Sequence, residues 1–225
     1  QVEGFQTTAI AGFATTQIRA LSATNLSALD ATQAAALTTQ QIGALTTAQV
    51  EGLSADDIGE FSTTQITAFT AAQLGKLSDT AAAAFDATQF AAISTTQLRG
   101  FTATQLAALD TGDMIEFTTT QIGALASTQL QALNDTNIAA LTTTQIAAFS
   151  TSQLRSFSPT TIGALADTQI GALNATQVAS FTTAQVAALD AADLSKFSVA
   201  NLQALTSAQM KALTETTLGS LVDTQ

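Results

Sequence analysis

A Leu, Phe or Ile stands at every eighth position from Phe5 through Phe13, Leu21 and Leu29 to Leu213 and Leu221, 28 anchors in one register without an insertion or deletion. A fixed short period of this kind decides architecture before any local structure does, because each unit is too small to bury its own apolar face and must stack on its neighbours. Labelling the octad a to h with h the anchor, Thr142 to Phe149 reads TTTQIAAF, and the consensus is [STDN]-x-x-Q-[ILV]-x-[AG]-[LF].

Position e is apolar in every octad, from Val2, Ile10 and Ile18 to Met210 and Leu218, with Ala34 and Ala82 the smallest occupants. Residues e and h are three apart, which puts them on one face of a helix but on opposite faces of a strand. Position a agrees. Of the 28 residues that follow an anchor, 23 are Ser, Thr, Asp or Asn, the exceptions being Gln6, Ala14, Ala126, Ala166 and Val222. These four types share a short side-chain oxygen that accepts from the unpaired N–H groups of a first helical turn. Three residues on, d is usually Gln (Gln17, Gln65, Gln97, Gln145, Gln177), whose side chain reaches back to the N-cap N–H and completes a capping box.

Rare residues fall where this scheme tolerates them. Pro159, the one proline, follows Ser158 and takes the first helical position, where a missing N–H costs nothing. All six basic residues (Arg19, Lys76, Arg99, Arg155, Lys196, Lys211) lie at f or g, near the negative end of the helix dipole. Position g is mainly Ala, with Gly4, Gly12, Gly52 and Gly100 as variants, so close helix approach is expected there. The expected fold is all-α: a solenoid of very short capped helices, one per octad, over residues 1–225. A β-solenoid is the alternative for so Thr-rich a repeat. Phe at h favours alternate octads (Phe69, Phe85, Phe101, Phe117, Phe149, Phe181, Phe197), which points to two helices per coil, with three left open.

Composition bears on function mainly by exclusion. Six Lys and Arg against 17 Asp and Glu give a net charge of -11, which repels nucleic acid and anionic membrane surfaces. No stretch approaches the roughly 18 apolar residues of a membrane span, so insertion is not expected, and Gln1 opens without a basic leader or signal core. The chain has no His and no Cys, hence no imidazole base, thiol nucleophile or soft metal ligand. No nucleotide-binding glycine motif is present, and no cofactor or enzymatic activity is expected.

Carboxylates remain. Asp56, Asp57 and Glu60, and Asp110, Asp113 and Glu116, are the two groupings that could hold a hard cation such as Ca²⁺. They lack the loop and glycine of an EF-hand, and first-turn Asp favoured by the helix dipole accounts for most of them. Asn25-Leu26-Ser27, Asn134-Asp135-Thr136 and Asn174-Ala175-Thr176 match the N-glycosylation acceptor pattern, and the hydroxyl rows at a to c, Thr143 among them, offer sites for O-linked glycans.

The succession of TTTQIAAF, TTAQVAAL and ADTQIGAL resembles the Thr/Gln/Ala/Leu octapeptide tracts of very large bacterial surface or secreted proteins, adhesin-like and fibre-forming, along the whole chain. The resemblance implies an extracellular or cell-surface architectural role and carries over no site residue. Repeats such as Asp190 to Phe197 (DAADLSKF) keep the slots but lose the Gln. Gln1 and Gln225 both occupy d with no polar capping repeat beside them, which predicts a section of a longer array or end-to-end association with other copies. Two functions fit: the core of a fibril or stalk, with glycans on its surface hydroxyls, or a repeat scaffold presenting a glycan-, ice- or protein-binding face.

Overall fold

In a computed structural model describing residues 2 and 4–221, the chain is an all-α solenoid, and no strand occurs among the described residues. Gln1, Val222 and Gln225, to which the sequence assigns slots, lie outside the described residues. There are two compact units, 1–116 and 117–225, built to the same plan. The described helices run from α1 (Thr7–Gly12) to α27 (Glu215–Leu218), each four to six residues long. Isolated helices of that length do not persist in water, so their order comes from packing.

The octad of α18 (Thr143–Ala147) shows how the chain makes one. Thr142 is extended (φ -67, ψ 158) and its side chain accepts from Gln145 N. The helix closes when Phe149 N donates to Ile146 O at 3.2 Å, after which the chain steps through an extended anchor into the next extended cap. No described residue has a positive φ. These helices therefore stop by a two-residue extended step rather than by the left-handed glycine that ends many helices, which is why h can be a bulky core residue. Ile146 and Phe149 are buried and Thr142, Thr143 and Thr144 exposed, as the e/h pattern requires. Pro159 opens α20 (Pro159–Gly163) at its first turn.

Coil size departs from the Phe-based expectation of two helices. In the first unit α2 (Thr15–Ala20) packs on α5 (Thr39–Ala44), and in the second α20 packs on α23 (Thr183–Ala187), which packs on α26 (Ser207–Ala212); each helix meets the third one along. The reason is that h side chains mix in the core irrespective of phase. Phe61 meets Phe69 and Phe149 meets Phe157 edge-on from consecutive octads, whereas Phe85 meets Phe101 from octads two apart. Close approach at the small positions is real at Gly100, where an added Cβ would sit 2.0 Å from Ala71 O. It does not extend to Gly4 and Gly12, which have nothing within 4 Å among the described residues.

Candidate functional site

The most regular chemical feature is a ladder of buried glutamines. Gln185, 1% exposed, shows one rung. Its Oε1 accepts from Thr182 N at 2.8 Å, and its own N donates to Thr182 Oγ1 at 3.1 Å, which is the capping box. Its Nε2 then donates to Leu154 O and Phe157 O, each at 2.8 Å, at the C-terminal end of an octad 28 to 31 residues earlier. One amide thus satisfies a helix-start donor and two helix-end acceptors. That earlier C-terminus leads directly into the helix on which the Gln helix stacks, so each rung ties successive coils.

The pattern repeats within each unit. Gln41 donates to Ile10 O and Phe13 O, both at 2.8 Å, and Gln105 to Leu74 O and Leu77 O at 2.9 and 2.8 Å. Gln153 donates to Ile122 O and Leu125 O at 2.8 and 2.9 Å. Sequence reasoning assigned only the cap to these residues. A usable signal was there: a capping box accepts Glu as well as Gln, yet Glu never occupies d and the only carboxylates there are the shorter Asp57, Asp113 and Asp193; a carboxylate of Gln's length would face the carbonyls with no hydrogen to donate.

Where d is Asp, the rung changes. Asp57 Oδ2 accepts from Ser54 N and Ser54 Oγ at 2.7 and 2.8 Å, and Ser27, one coil earlier, supplies the missing donor through its hydroxyl at 2.5 Å. Asp193, 3% exposed, has Gly163 at the place equivalent to Ser27 and so no such donor. Burial pushes its carboxyl up to about 6, against the lowering backbone hydrogen bond at Asp190 and with help from the charges of Asp190 and Asp167. Asp113, with Ala83 at that place, is also raised, again by burial first.

The two acidic groupings gain one member each that the sequence did not suggest. Burial raises the Glu60 carboxyl, followed by the charges of Asp57, Asp30 and Asp56; burial also raises Glu116, followed by Asp113, Asp86 and Asp110. Asp30 and Asp86 are N-caps from an earlier coil. Glu60 Oε2 and Glu116 Oε2 are shielded and lack a hydrogen-bond partner. Asp110 and Asp113 exchange capping hydrogen bonds at 2.7 and 3.0 Å, and Asp56 is exposed. Among the described residues no group of three or more carboxylates is placed to hold a metal ion; Asp56, Asp57 and Asp113 lie in first helical turns, whereas Glu60 and Glu116 end their helices.

Two of the glycosylation candidates, Asn134 and Asn174, are N-caps. Asn134 Oδ1 accepts from Asn137 N at 2.8 Å, Asn174 Oδ1 from Gln177 N at 3.0 Å, and Asn25 N donates to Ser22 Oγ at 3.1 Å. Asn134, Asn174 and Thr143 are exposed, and Asn25 is half-buried. No helix among the described residues is long and apolar enough to cross a membrane.

The sequence model of the ALTTAQ repeat matches the chain three times, at residues 10–47, 114–151 and 146–183. The six letters themselves stand at Ala44 to Gln49, bridging the end of one octad and the rung of the next. The chain is thus a repeat protein. No curated protein gives a significant match to it.

Proposed function

We propose that this chain is a structural scaffold, the core of an extracellular or cell-surface fibril or stalk, and not an enzyme. The observation that supports this most directly is the rung itself. What a Gln at d requires from the coil before it is backbone carbonyls at an octad's end, and any further octad presents them. Gln17, in the first coil, has its Oε1 on Ala14 N at 2.8 Å but is exposed, and its Nε2 has no acceptor among the described residues. Phe5 is likewise 37% exposed. By the same rung a further octad array, in a longer chain or a second copy, would stack on this one. Stacking of this head-to-tail kind without rotational closure yields open filaments, and the charge of -11 opposes lateral clumping at low salt. Exposed hydroxyls such as Thr143, and Asn134 and Asn174, are where surface glycans would be carried.

Electron microscopy and sedimentation of native material test the scaffold. Filaments or long rods are the expected result, and discrete compact monomers at every concentration would overturn it. Protease shaving of intact cells tests the location, with loss of the protein expected, and mass spectrometry of the released fragments reads glycan mass at the named residues.

A further inference from the structure

The rung vacated at Thr161 leaves a cavity whose polar groups are those of an amide cradle. In the octad Ser158 to Leu165 (SPTTIGAL) the d residue is Thr, too short to reach the preceding coil. Thr161 N donates to Ser158 Oγ at 2.9 Å and the two hydroxyls pair at 2.8 Å, so Thr161, itself 8% exposed, is turned onto its own cap. Counting back by the ladder's spacing, the carbonyls that a Gln here would bridge are Leu130 O and Leu133 O. Leu130 O accepts only the helix-closing bond from Leu133 N, and Leu133 O accepts from no described group. Ser158 N, the donor that a Gln Oε1 would accept from, is also without a partner.

The space did not collapse. A cavity of about 350 Å³ lies there, with Leu130, Leu133, Asp135, Phe157, Ser158 and Thr161 among its lining residues. The rungs on either side show what such a cradle holds. Gln153 takes one N–H from Ser150 at 2.8 Å and gives two to Ile122 O and Leu125 O; Gln169 takes one from Ala166 at 2.8 Å and gives to Ala139 O and Leu141 O.

We infer that the Thr161 cavity is a binding site for a primary carboxamide, which would accept from Ser158 N through its oxygen and donate through its nitrogen to Leu130 O and Leu133 O. One donor and two acceptors discriminate by chemistry. A carboxylate would set its charge against two carbonyls, and an N,N-dialkyl amide has no hydrogen to give, so each leaves buried carbonyls unpaired. The carboxamide is that of a free small molecule or of a Gln side chain on another polypeptide.

The test is to titrate the full ¹⁵N-labelled chain with propionamide, in parallel with propionate and N,N-dimethylpropionamide, and to follow the Ser158 amide resonance. A saturable shift with propionamide, and binding weaker by about tenfold or more for both analogues, is expected. Thr161→Gln fills the cradle from within and should abolish that shift; Thr161→Val keeps the backbone cradle open and should retain it. No saturable shift, equal shifts with the dimethyl amide, or a shift unchanged in a folded Thr161→Gln protein would each overturn the site, as would its loss in Thr161→Val. A peptide of the octad TTTQIAAF separates the sources: binding at least about tenfold tighter than propionamide assigns a glutamine side chain, and binding no tighter assigns a free small amide.

Discussion

Gln185 and Asp193 occupy the same slot in consecutive octads, and the two rungs could hardly be served more differently. At Gln185 both polar atoms of the amide are used, with two carbonyls and one N–H satisfied by a buried side chain. At Asp193 the cap survives, Asp190 N donating to Oδ2 at 3.0 Å and Asp193 N to Asp190 Oδ1 at 2.9 Å. The coil-to-coil half is lost: Leu165 O, which stands to Asp193 as Phe157 O stands to Gln185, accepts from no described group. The difference teaches that capping and coil stacking are separable jobs of one side chain. A carboxylate keeps the first and forfeits the second.

The sharpest way to break the contrast is to convert the good rung into the poor one. Gln185→Glu retains the acceptor for Thr182 N and replaces the donating nitrogen by an oxygen facing two carbonyls 2.8 Å from the present Nε2. A destabilisation of about 3–5 kcal/mol at pH 7 is expected, the magnitude found when a buried charge loses its compensating partner. Denaturant titration reads it. The loss should shrink at pH 4, where a protonated Glu donates again to one carbonyl; an equal loss at both pH values would show that the charge facing the carbonyls is not what destabilises the rung.

Mending the poor rung should give a smaller effect of opposite sign. Asn201 shows that an amide of Asp193's size reaches an h carbonyl from d, since its Nδ2 donates to Leu173 O at 2.8 Å. Asp193→Asn should therefore close onto Leu165 O. The pH dependence follows from the raised pKa: the folded chain holds the Asp193 proton between the ordinary value of 3.8 and about 6 while the unfolded chain does not. Stability contributed by the protonated form is thus present below pH 4 and is lost as pH rises through 6. Two pKa units correspond to an upper bound of about 3 kcal/mol, and solvent screening reduces this to about 1–2 kcal/mol. The Asn variant should gain that amount at pH 7 and little at pH 3.5, measured by parallel thermal melts.

Much of this was open to reading from residues alone, and the division has a physical basis. Helix starts, the buried e and h faces and the place of Pro159 depend on neighbours within one octad, so the spacing of Thr142, Gln145, Ile146 and Phe149 carries them. The second job of Gln145 or Gln185 depends on which residue lies one coil away, and that is fixed by coil size, a collective property of packing. The alternation of Phe at h misled on coil size because any large ring fills the shared core. Cavities at exceptions such as Thr161 were hidden for the same reason: their walls come from Leu130 and Leu133, far off in sequence.

Asp57 sharpens the comparison from the other side, as a carboxylate rung given a substitute donor. Ser27→Ala removes the hydroxyl that reaches Asp57 Oδ2 at 2.5 Å and leaves only the two bonds from Ser54. A loss of about 1–1.5 kcal/mol is expected, near the lower end for a hydrogen bond to a charged group because the site is only partly buried. Chemical denaturation of Ser27→Ala, Asp57→Asn and the double variant Ser27→Ala/Asp57→Asn closes a cycle with the parent chain, in which the amide should return most of the loss. Grafting the same remedy beside Asp193 by Gly163→Ser should fail, since a Cβ there would lie 2.8 Å from Ala188 O.

The smallest effect isolates the cap from the rung. Gln169 has the full coil-to-coil half, with Nε2 bonds of 2.9 and 2.5 Å to Ala139 O and Leu141 O, but its helix begins at Ala166, which has no side-chain oxygen. The box is therefore half built, Ala166 N donating to Gln169 Oε1 while nothing but Ala166 O receives Gln169 N. Ala166→Ser supplies the missing acceptor in a backbone already extended at φ -68, ψ 149, so no reorganisation opposes it. Ala-to-Ser exchanges at an N-cap are worth about 0.5–2 kcal/mol. The gain here should sit at the bottom of that range, about 0.5 kcal/mol, because Gln169 N already has a backbone partner and the helix is pinned by its rung. Hydrogen exchange at Gln169 and Ile170 reads the change locally. A gain approaching 2 kcal/mol would mean that capping, and not the bridge between coils, sets the stability of each octad, reversing the order of importance drawn from Gln185 and Asp193.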